Sequence, residues 1–171
     1  MAKRLSLKEF QESLASRLKA AASQTVAHAR LSFQAGETYW LVSLDAAGEV
    51  LSVPKIEHVP LTQSWFVGVT NLRGVLYGVS DFSAFLGGPA TVRAPENRLL
   101  LIGEPLGVNA ALLVTRLTGL RNIEDFDAVE GGDADTQWAE RTWRDGEGRL
   151  WHDLDGARLL LHRDFLDVAI A

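Results

Sequence analysis

VGVTNLRGVLYGVSDFSAFLG, residues 67–87, is the stretch of this chain that carries the strongest structural signal. It predicts two short strands, because β-branched and aromatic residues lie on both sides of the tetrapeptide Asn71-Leu72-Arg73-Gly74. Asp81 then precedes apolar residues at helical spacing, and Gly87 is suited to a left-handed helix stop. The stretch therefore predicts strands followed by a short helix.

Other strands are predicted on both sides of this stretch. Leu31 and Phe33 alternate with polar neighbours, and Gly36-Glu37 offers a turn before the run 39–44, which together predict a β-hairpin. Further β-rich runs, mostly separated by Gly or Pro, are 50–53, 99–102, 111–117 and 150–154. Many short strands with few helices favour barrels or a sandwich, so the expected fold class is mainly β.

Two more helical segments are predicted, one near each end of the chain. Ser6-Leu7-Lys8-Glu9 fits a capping box, and an apolar stripe follows it at three- and four-residue intervals to about Ser23. Residues 1–29 are therefore predicted to carry an amphipathic helix that precedes a domain at 30–171. The other helix is predicted at 159–168. The basic face of the leading helix is expected either to be exposed to solvent or to contact an acidic partner or a lipid surface.

The chain also contains a weak internal repeat. The strand end Val79-Ser80-Asp81-Phe82 resembles Trp151-His152-Asp153-Leu154, and a helical pattern follows each. This similarity predicts two halves of similar design with a boundary around 87–97.

Composition and charge restrict the classes of function. The absence of cysteine excludes disulfides and thiolate sites and fits a cytoplasmic protein. Residues 1–30 carry six Lys/Arg against two Glu, so the remainder carries eleven against twenty and a net charge of −9. An acidic body argues against nucleic acid binding. No apolar run approaches the roughly 20 residues of a membrane-spanning helix, and charges interrupt any signal-peptide core, so neither a membrane span nor export is expected.

Motifs for catalysis or cofactor binding are lacking. The four histidines have no zinc-type spacing, no phosphate-binding glycine motif occurs, and no cofactor is expected. The acidic segment 123–137 lacks the spacing of a calcium loop and is predicted to be an exposed loop. A hydrolase built from Asp81, Asp153 or His152 would require these groups to converge in one cleft. The five tryptophans mark either a binding face or the core.

The residues quoted so far resemble the signature of the CheW-like adaptor family, from about Arg30 to the C-terminus. The match rests on Glu49 before the signature and on its members in order: Gly68, Asn71, Arg73, Gly74, Asp81 and Gly87. Within the family, the flanking Trp65-Phe66 and Phe85-Leu86 and the added N-terminal helix are most similar to the PilI branch. Members of that branch serve the chemosensory systems of type IV pili and twitching motility.

The resemblance implies a fold and a set of contact residues. The family fold is two SH3-like, five-stranded β-barrel subdomains around a shared apolar junction, with short connecting and C-terminal helices. The positions implied to face a receptor or a kinase are Glu49, Arg73, Leu76 and Leu99. We also hypothesise a contact between Arg73 and Glu49, since a planar guanidinium can hold a carboxylate with two hydrogen bonds.

The function implied is that of a non-enzymatic cytoplasmic adaptor beside membrane-anchored receptor arrays. Its partners would be the cytoplasmic hairpin tip of a chemoreceptor and the regulatory domain of a CheA-type histidine kinase. A β-barrel that binds a small molecule is the alternative. The leading helix is expected either to cover a groove until a partner displaces it or to dock elsewhere.

Overall fold

The computed structural model describes residues 28–130 and 137–170, which form a mainly β protein with short helices. The strands are β1 Ala29–Ala35, β2 Thr38–Ser43, β3 Ala47–Ser52, β4 Phe66–Leu72, β5 Val75–Asp81, β6 Arg98–Ile102, β7 Ala110–Val114, β8 Arg116–Asn122, β9 Asp127–Val129, β10 Ala139–Arg144 and β11 Leu150–Leu154. The helices are α1 Phe82–Phe85, α2 Gly156–Leu161 and α3 Arg163–Leu166, with 3₁₀ turns at Glu104–Leu106 and Ile123–Asp125.

The strands form two sheets. The six-stranded sheet has the order β8-β1-β2-β11-β10-β9, and the five-stranded sheet has the order β3-β6-β7-β5-β4. Within the described residues neither sheet closes on itself. The expected mainly β class is therefore confirmed, as two sheets and without a closed barrel. One sheet also has a sixth strand, because the short β9 adds to β10 through three residue pairs.

The two sheets exchange strands between the halves of the chain. The β1–β2 hairpin lies in the six-stranded sheet, whereas β3, β4 and β5 of the same half lie in the other. The second half does the reverse, since β6–β7 joins the five-stranded sheet and β8, β10 and β11 join the six-stranded one. Each hairpin receives a parallel strand, β11 beside β2 and β5 beside β7. The segment 87–97 therefore separates two similar halves, as the internal repeat predicts.

The repeat holds at the level of single residues. Asp81 pairs with Leu113 across β5–β7, and Asp153 pairs with Leu41 across β11–β2. These two aspartates thus occupy equivalent positions in the two sheets. A helix follows each strand, directly after Asp81 in one half and after Asp155 in the other.

The main core lies between the sheets. It contains Phe33, Trp40 and Val42 from the six-stranded sheet and Leu100 and Leu112 from the five-stranded sheet. Helical residues complete it: Phe82 of α1 and Leu159, Leu160 and Phe165 of the C-terminal helices. Phe82 packs edge-on against Trp40 with ring centroids 5.0 Å apart. Burying this apolar surface is what holds the two sheets together.

Each sheet has a second cluster on its other face. Residues alternate along a strand, so Leu99 and Leu101 leave the junction and join Val79, Ala111 and Leu113 in a cluster of the five-stranded sheet. In the six-stranded sheet the equivalent cluster holds Leu41, Phe126 and Trp151. Three tryptophans, Trp40, Trp138 and Trp151, are buried, which places them in the core rather than on a binding face.

The described helices agree in part with those expected. Asp81 caps α1, but the expected segment 159–168 is two helices, because His162 takes an extended backbone (φ −81°, ψ 138°) and caps α3 with its ring nitrogen. The predicted leading helix lies outside the described residues, as does part of the acidic loop, residues 131–136. No described helix is long and apolar enough to cross a membrane.

Candidate functional site

The site begins with the tight turn at the tip of the β4–β5 hairpin. Leu72 pairs with Val75, so Arg73 and Gly74 form a two-residue loop, and both have positive φ, 52° and 87°. Such a loop has the handedness that matches the twist of a hairpin. The Asn71 side chain stabilises it by accepting a hydrogen bond from the Gly74 N–H at 2.9 Å. The turn thus fixes the direction in which the Arg73 side chain leaves the sheet.

The Arg73 guanidinium binds the Glu49 carboxylate with two hydrogen bonds. Nη1 donates to Oε2 at 2.8 Å and Nη2 donates to Oε1 at 2.6 Å. Glu49 lies on β3 and Arg73 lies at the end of β4, so the pair joins the two outer strands of the five-stranded sheet. The hydrogen bond and the charge of Glu49 raise the pKa of Arg73 above its ordinary value. The hypothesised contact is therefore present.

An open groove of about 330 Å³ lies beneath this ion pair. Its polar rim is Glu49, Asn71 and Arg73. Its apolar lining comes from four strands of the five-stranded sheet: Leu51 of β3, Leu72 of β4, Val75 and Tyr77 of β5, and Leu101 of β6. A groove with an apolar floor and a charged rim is suited to an amphipathic partner rather than to a reaction. We refer to it as the clasp groove.

Farther along β4, its outer edge is paired with the segment that follows β3. Glu57 and Val69 exchange two backbone hydrogen bonds, of 2.8 and 2.9 Å. Gly68 makes this approach possible, because a Cβ there would lie 2.2 Å from the Glu57 carbonyl oxygen. The Arg73–Glu49 pair thus connects β4 to β3, and the Glu57–Val69 pairing connects β4 to the segment that follows β3.

The remaining signature residues organise the connection after the hairpin. Asp81 is buried and accepts hydrogen bonds from the Ala84 N–H, the Thr91 N–H (2.6 Å) and the Thr91 hydroxyl (2.9 Å). It therefore caps α1 and holds the following loop against it. Gly87 ends the helix with a φ of 84°. These residues have structural roles.

Two of the four expected contact residues lie elsewhere than in the groove. Leu76 is 58% exposed, but it alternates with Val75 and Tyr77 and so faces away from the groove. Leu99 is 0% exposed and lies in the middle of the five-stranded sheet, which corrects its expected position on the surface. The run 98–102 belongs to an inner strand that is covered on both faces, so an apolar residue there indicates core rather than contact.

The residues of the hydrolase hypothesis serve separate local structures. The Asp81 carboxylate is engaged by Thr91 and Ala84, whereas the Asp153 carboxylate accepts two hydrogen bonds of 3.2 Å from Arg30 Nε. His152 Nδ1 lies 3.2 Å from the Thr142 hydroxyl. The described residues contain no group of three or more His, Asp or Glu that could hold a metal ion.

The groove lining was not identified from the sequence. Leu51, Tyr77 and Leu101 are ordinary strand residues, and only their alternation with the neighbouring positions places them on one face. They come together through the pairing of β3 with β6, of β6 with β7 and of β7 with β5.

Comparison with known proteins agrees with this architecture. The chain is 27% identical to protein PilI of Pseudomonas aeruginosa over 143 residues, which is 82% of this chain and 79% of PilI. The crystal structure of the scaffolding protein TtCheW from Thermoanaerobacter tengcongensis superposes with a TM-score of 0.65 at 19% identity, over 75% of this chain and 89% of that one. The family model described as CheW-like domain matches residues 30–164. The chain belongs to the CheW-like family.

Proposed function

We propose that this protein is a non-enzymatic adaptor that couples the cytoplasmic hairpin tip of a chemoreceptor to the regulatory domain of a CheA-type histidine kinase. Membership of the CheW-like family supports this general role. The observation that carries the proposal is the clasp groove, with its apolar floor and its rim formed by the Arg73–Glu49 pair. We assign residues 30–171 to this adaptor domain and treat residues 1–29 as a separate leading segment.

We assign the clasp groove to the receptor. A receptor tip is helical, and an amphipathic helix can place apolar side chains against Leu51, Val75 and Tyr77 while its polar side chains meet the rim. Arg73 is held by Glu49 in one orientation before a partner arrives, so little side-chain entropy is lost on binding. This arrangement supports recognition of an acidic or amide group beside the apolar face of the partner.

We assign Leu76 to the kinase. Its exposed side chain leaves the same hairpin on the face opposite the groove, so one hairpin can contact two partners at once. A receptor that alters the hairpin would then change the contact made by the kinase, which is a coupling between two binding sites. Leu99 has no place in this proposal, because it is buried.

The barrel form of the subdomains is part of the proposal. Strand β4 meets β3 through the Arg73–Glu49 pair and meets the segment after β3 through Glu57–Val69. Both contacts support a five-stranded sheet that curls toward the SH3-like barrel that the family resemblance implies. Buried side chains such as Leu99, Leu101 and Leu113 occupy its inner face, which favours an adaptor over a barrel that binds a small molecule.

The setting that we propose is the cytoplasmic side of a receptor array that controls type IV pili. The similarity to PilI favours twitching rather than flagellar motility as the output. Deleting the gene and comparing twitching zones with swimming zones tests this part. Loss of swimming with normal twitching would contradict it.

Calorimetric titration tests the coupling role directly. The protein is titrated with the kinase regulatory domain and, separately, with a receptor hairpin fragment from the same organism. We expect Arg73→Asn to weaken receptor binding by about tenfold, equivalent to about 1.4 kcal/mol, and to leave kinase binding unchanged. Leu76→Asp should do the reverse. Arg93→Asn, which removes an exposed arginine elsewhere, is the matched control.

Asn is the appropriate replacement at position 73, because it tolerates positive φ and so preserves the turn while it removes the guanidinium. Equal effects of Arg73→Asn and Arg93→Asn on receptor binding would contradict the assignment of the groove. Absence of binding to either partner would contradict the adaptor role as a whole.

A further inference from the structure

Leu61 has a strained backbone that the surrounding structure must hold in place. Among the described residues, Leu61 and Arg73 are the non-glycine residues with positive φ, and the φ of Leu61 is 59°. Arg73 forms a hairpin turn, where positive φ is expected, but Leu61 lies in the segment that connects β3 to β4. The Cβ of a leucine disfavours this conformation. The Leu61 side chain is 80% exposed, so its burial does not offset the strain.

A short backbone pairing with residues 168–170 holds Leu61 in this conformation, and we call these residues the strap. The Ile170 N–H donates a hydrogen bond to the Leu61 carbonyl oxygen at 2.9 Å. The Gln63 N–H donates to the Val168 carbonyl oxygen at 2.8 Å. The Ile170 side chain is exposed, so little apolar burial adds to these bonds. A pairing of this kind is a unit that opens locally without unfolding the rest of a protein.

A second backbone pairing fixes the other end of the strained segment. Glu57 and Val69 exchange two backbone hydrogen bonds at the outer edge of β4. Residues 58–61 therefore run between the pairing at Glu57 and the pairing with the strap. Because both ends are held, the chain reaches the strap through a left-handed residue at position 61. Opening of the strap releases one end, and Leu61 can then return to negative φ.

Contacts beyond Gln63 limit how far this opening extends. Trp65 stacks on Phe165 of α3 with ring centroids 5.9 Å apart. The Trp65 carbonyl oxygen also accepts a hydrogen bond from the Asp81 N–H at 2.8 Å. These contacts hold the start of β4 without the strap. Opening therefore loosens residues 57–64 and the outer edge of β4, and leaves the β4–β5 hairpin as a whole in place.

We infer that residues 168–170 are a strained strap whose opening is coupled to the Glu57–Val69 pairing, so that the strap controls the order of the outer edge of β4. Asn71 and Leu72, which line the clasp groove, follow Val69 on that strand. The closed strap thus keeps this side of the groove ordered for a partner, and opening lowers the affinity of the groove. This last step rests on the function proposed above.

Hydrogen exchange in the full chain tests the coupling without any partner. Ile170→Pro removes the N–H that bonds to Leu61, whereas the matched control Ile170→Ala keeps that N–H and also removes the exposed side chain. Relative to the control, Ile170→Pro should speed exchange of the Gln63 amide about tenfold, and exchange of the Glu57 and Val69 amides about threefold or more. Amides of the inner strand β6 should exchange at the rates of the control.

Two outcomes of this experiment would overturn the inference. Faster exchange at Gln63 alone would show that the strap opens independently of β4. Equal acceleration of the β6 amides would show that the strap opens only when the whole protein unfolds.

Substitution at position 61 tests the strain. Leu61→Asn and Leu61→Ala both remove the exposed leucine side chain, but Asn tolerates positive φ better than Ala. The Ile170 and Gln63 amides should therefore exchange about threefold more slowly in the Asn variant than in the Ala variant, because the closed strap is then less strained. Equal rates in the two variants would contradict a strained strap.

Calorimetric titration with the receptor hairpin fragment tests the effect on the clasp groove. Ile170→Pro should weaken binding about threefold relative to Ile170→Ala. Unchanged affinity, for a fragment that binds the native protein, would overturn control of the groove by the strap. Failure of the native protein to bind the fragment would instead contradict the proposed function, and the exchange rates would still decide whether the strap and β4 are coupled.

Discussion

Arg73 and Glu49 connect the two outer strands of the five-stranded sheet, although the backbones of those strands do not pair at that point. Both side chains are accessible to solvent, with exposed fractions of 78% and 39%. Exposed ion pairs contribute little to folding even when their geometry is good. The pair is therefore better suited to orienting the rim of a groove than to holding the fold together.

A double-mutant cycle tests this view. Glu49→Gln, Arg73→Asn and the double variant should each change the free energy of unfolding by less than about 1 kcal/mol, with a coupling energy of about 0.2–1 kcal/mol. Urea denaturation at low and high salt provides the measurement. A coupling energy well above this range would assign the pair a role in stability.

The backbone of the turn gives a second prediction. Because Arg73 has φ 52°, Arg73→Val should destabilise the protein by about 1–2 kcal/mol, whereas Arg73→Asn should be nearly neutral. Thermal or urea unfolding of the two variants checks it. Equal stability of the two would mean that the turn can relax to negative φ.

Gly68 and Gly87 form a matched pair for backbone effects. Both have positive φ, but a Cβ at Gly68 meets the Glu57 carbonyl, whereas a Cβ at Gly87 has no heavy atom within 4 Å. Gly68→Ala should therefore cost about 3 kcal/mol or more and Gly87→Ala only about 1 kcal/mol, as measured by urea unfolding. Similar losses at the two sites would contradict the close approach of residues 57 and 68.

Asp81 should be the most sensitive carboxylate in its half of the chain. Asp81→Ala leaves the Thr91 N–H and the first turn of α1 without an acceptor, at a cost of about 2–4 kcal/mol. Asp164→Ala, at an exposed position, is the control. Hydrogen exchange should show faster exchange of the Thr91 amide in the Asp81 variant. Unchanged exchange would show that another group takes over as acceptor.

The ionisation of Asp145 predicts that the free energy of unfolding depends on pH. Its partial burial raises the pKa, but hydrogen bonds from Trp151 Nε1 and from the backbone of Arg149 and Glu147 outweigh this, so the pKa lies below the ordinary value. The ionised group thus stabilises the fold above the unfolded-state pKa of about 3.9, and this contribution is lost as the pH falls through the lower, folded-state value.

The measurement is urea unfolding of the native protein and of Asp145→Asn between about pH 7 and pH 3, a range that brackets the ordinary aspartate pKa. The native protein should be the more stable at pH 7, and the difference should shrink toward pH 3. A difference that grows as the pH falls would contradict the direction of the pKa shift.

Much of the local structure could be predicted from the sequence, because local rules determine it. The β1–β2 hairpin follows from alternation and a Gly36 turn, and the start of α1 follows from the capping preference of Asp81. The Arg73–Glu49 contact was expected from the family pattern rather than from spacing. Pairing partners were harder to predict, since a strand pattern specifies its faces but not its neighbours.

Leu99 illustrates the limit. Residues 99–102 are uniformly apolar, so alternation cannot distinguish a contact surface from a strand that is covered on both sides. The break at His162 escaped prediction for a related reason, because the apolar residues on either side of it, Leu159 to Leu161 and Phe165 to Leu166, keep a helical spacing. In both cases tertiary packing determines the outcome: the burial of Leu99 in one and the helix break at His162 in the other.

The exchange of hairpins between the halves has a consequence for synthesis on the ribosome. Trp40 pairs with His152, so the β1–β2 hairpin must wait for more than a hundred residues before its parallel neighbour is made. Such long-range pairing slows folding and leaves apolar strands exposed in the nascent chain. Neither half can complete a sheet alone, so a truncated product will offer unpaired strands to other chains. The last strand to emerge is therefore the one that commits the whole protein to its native form.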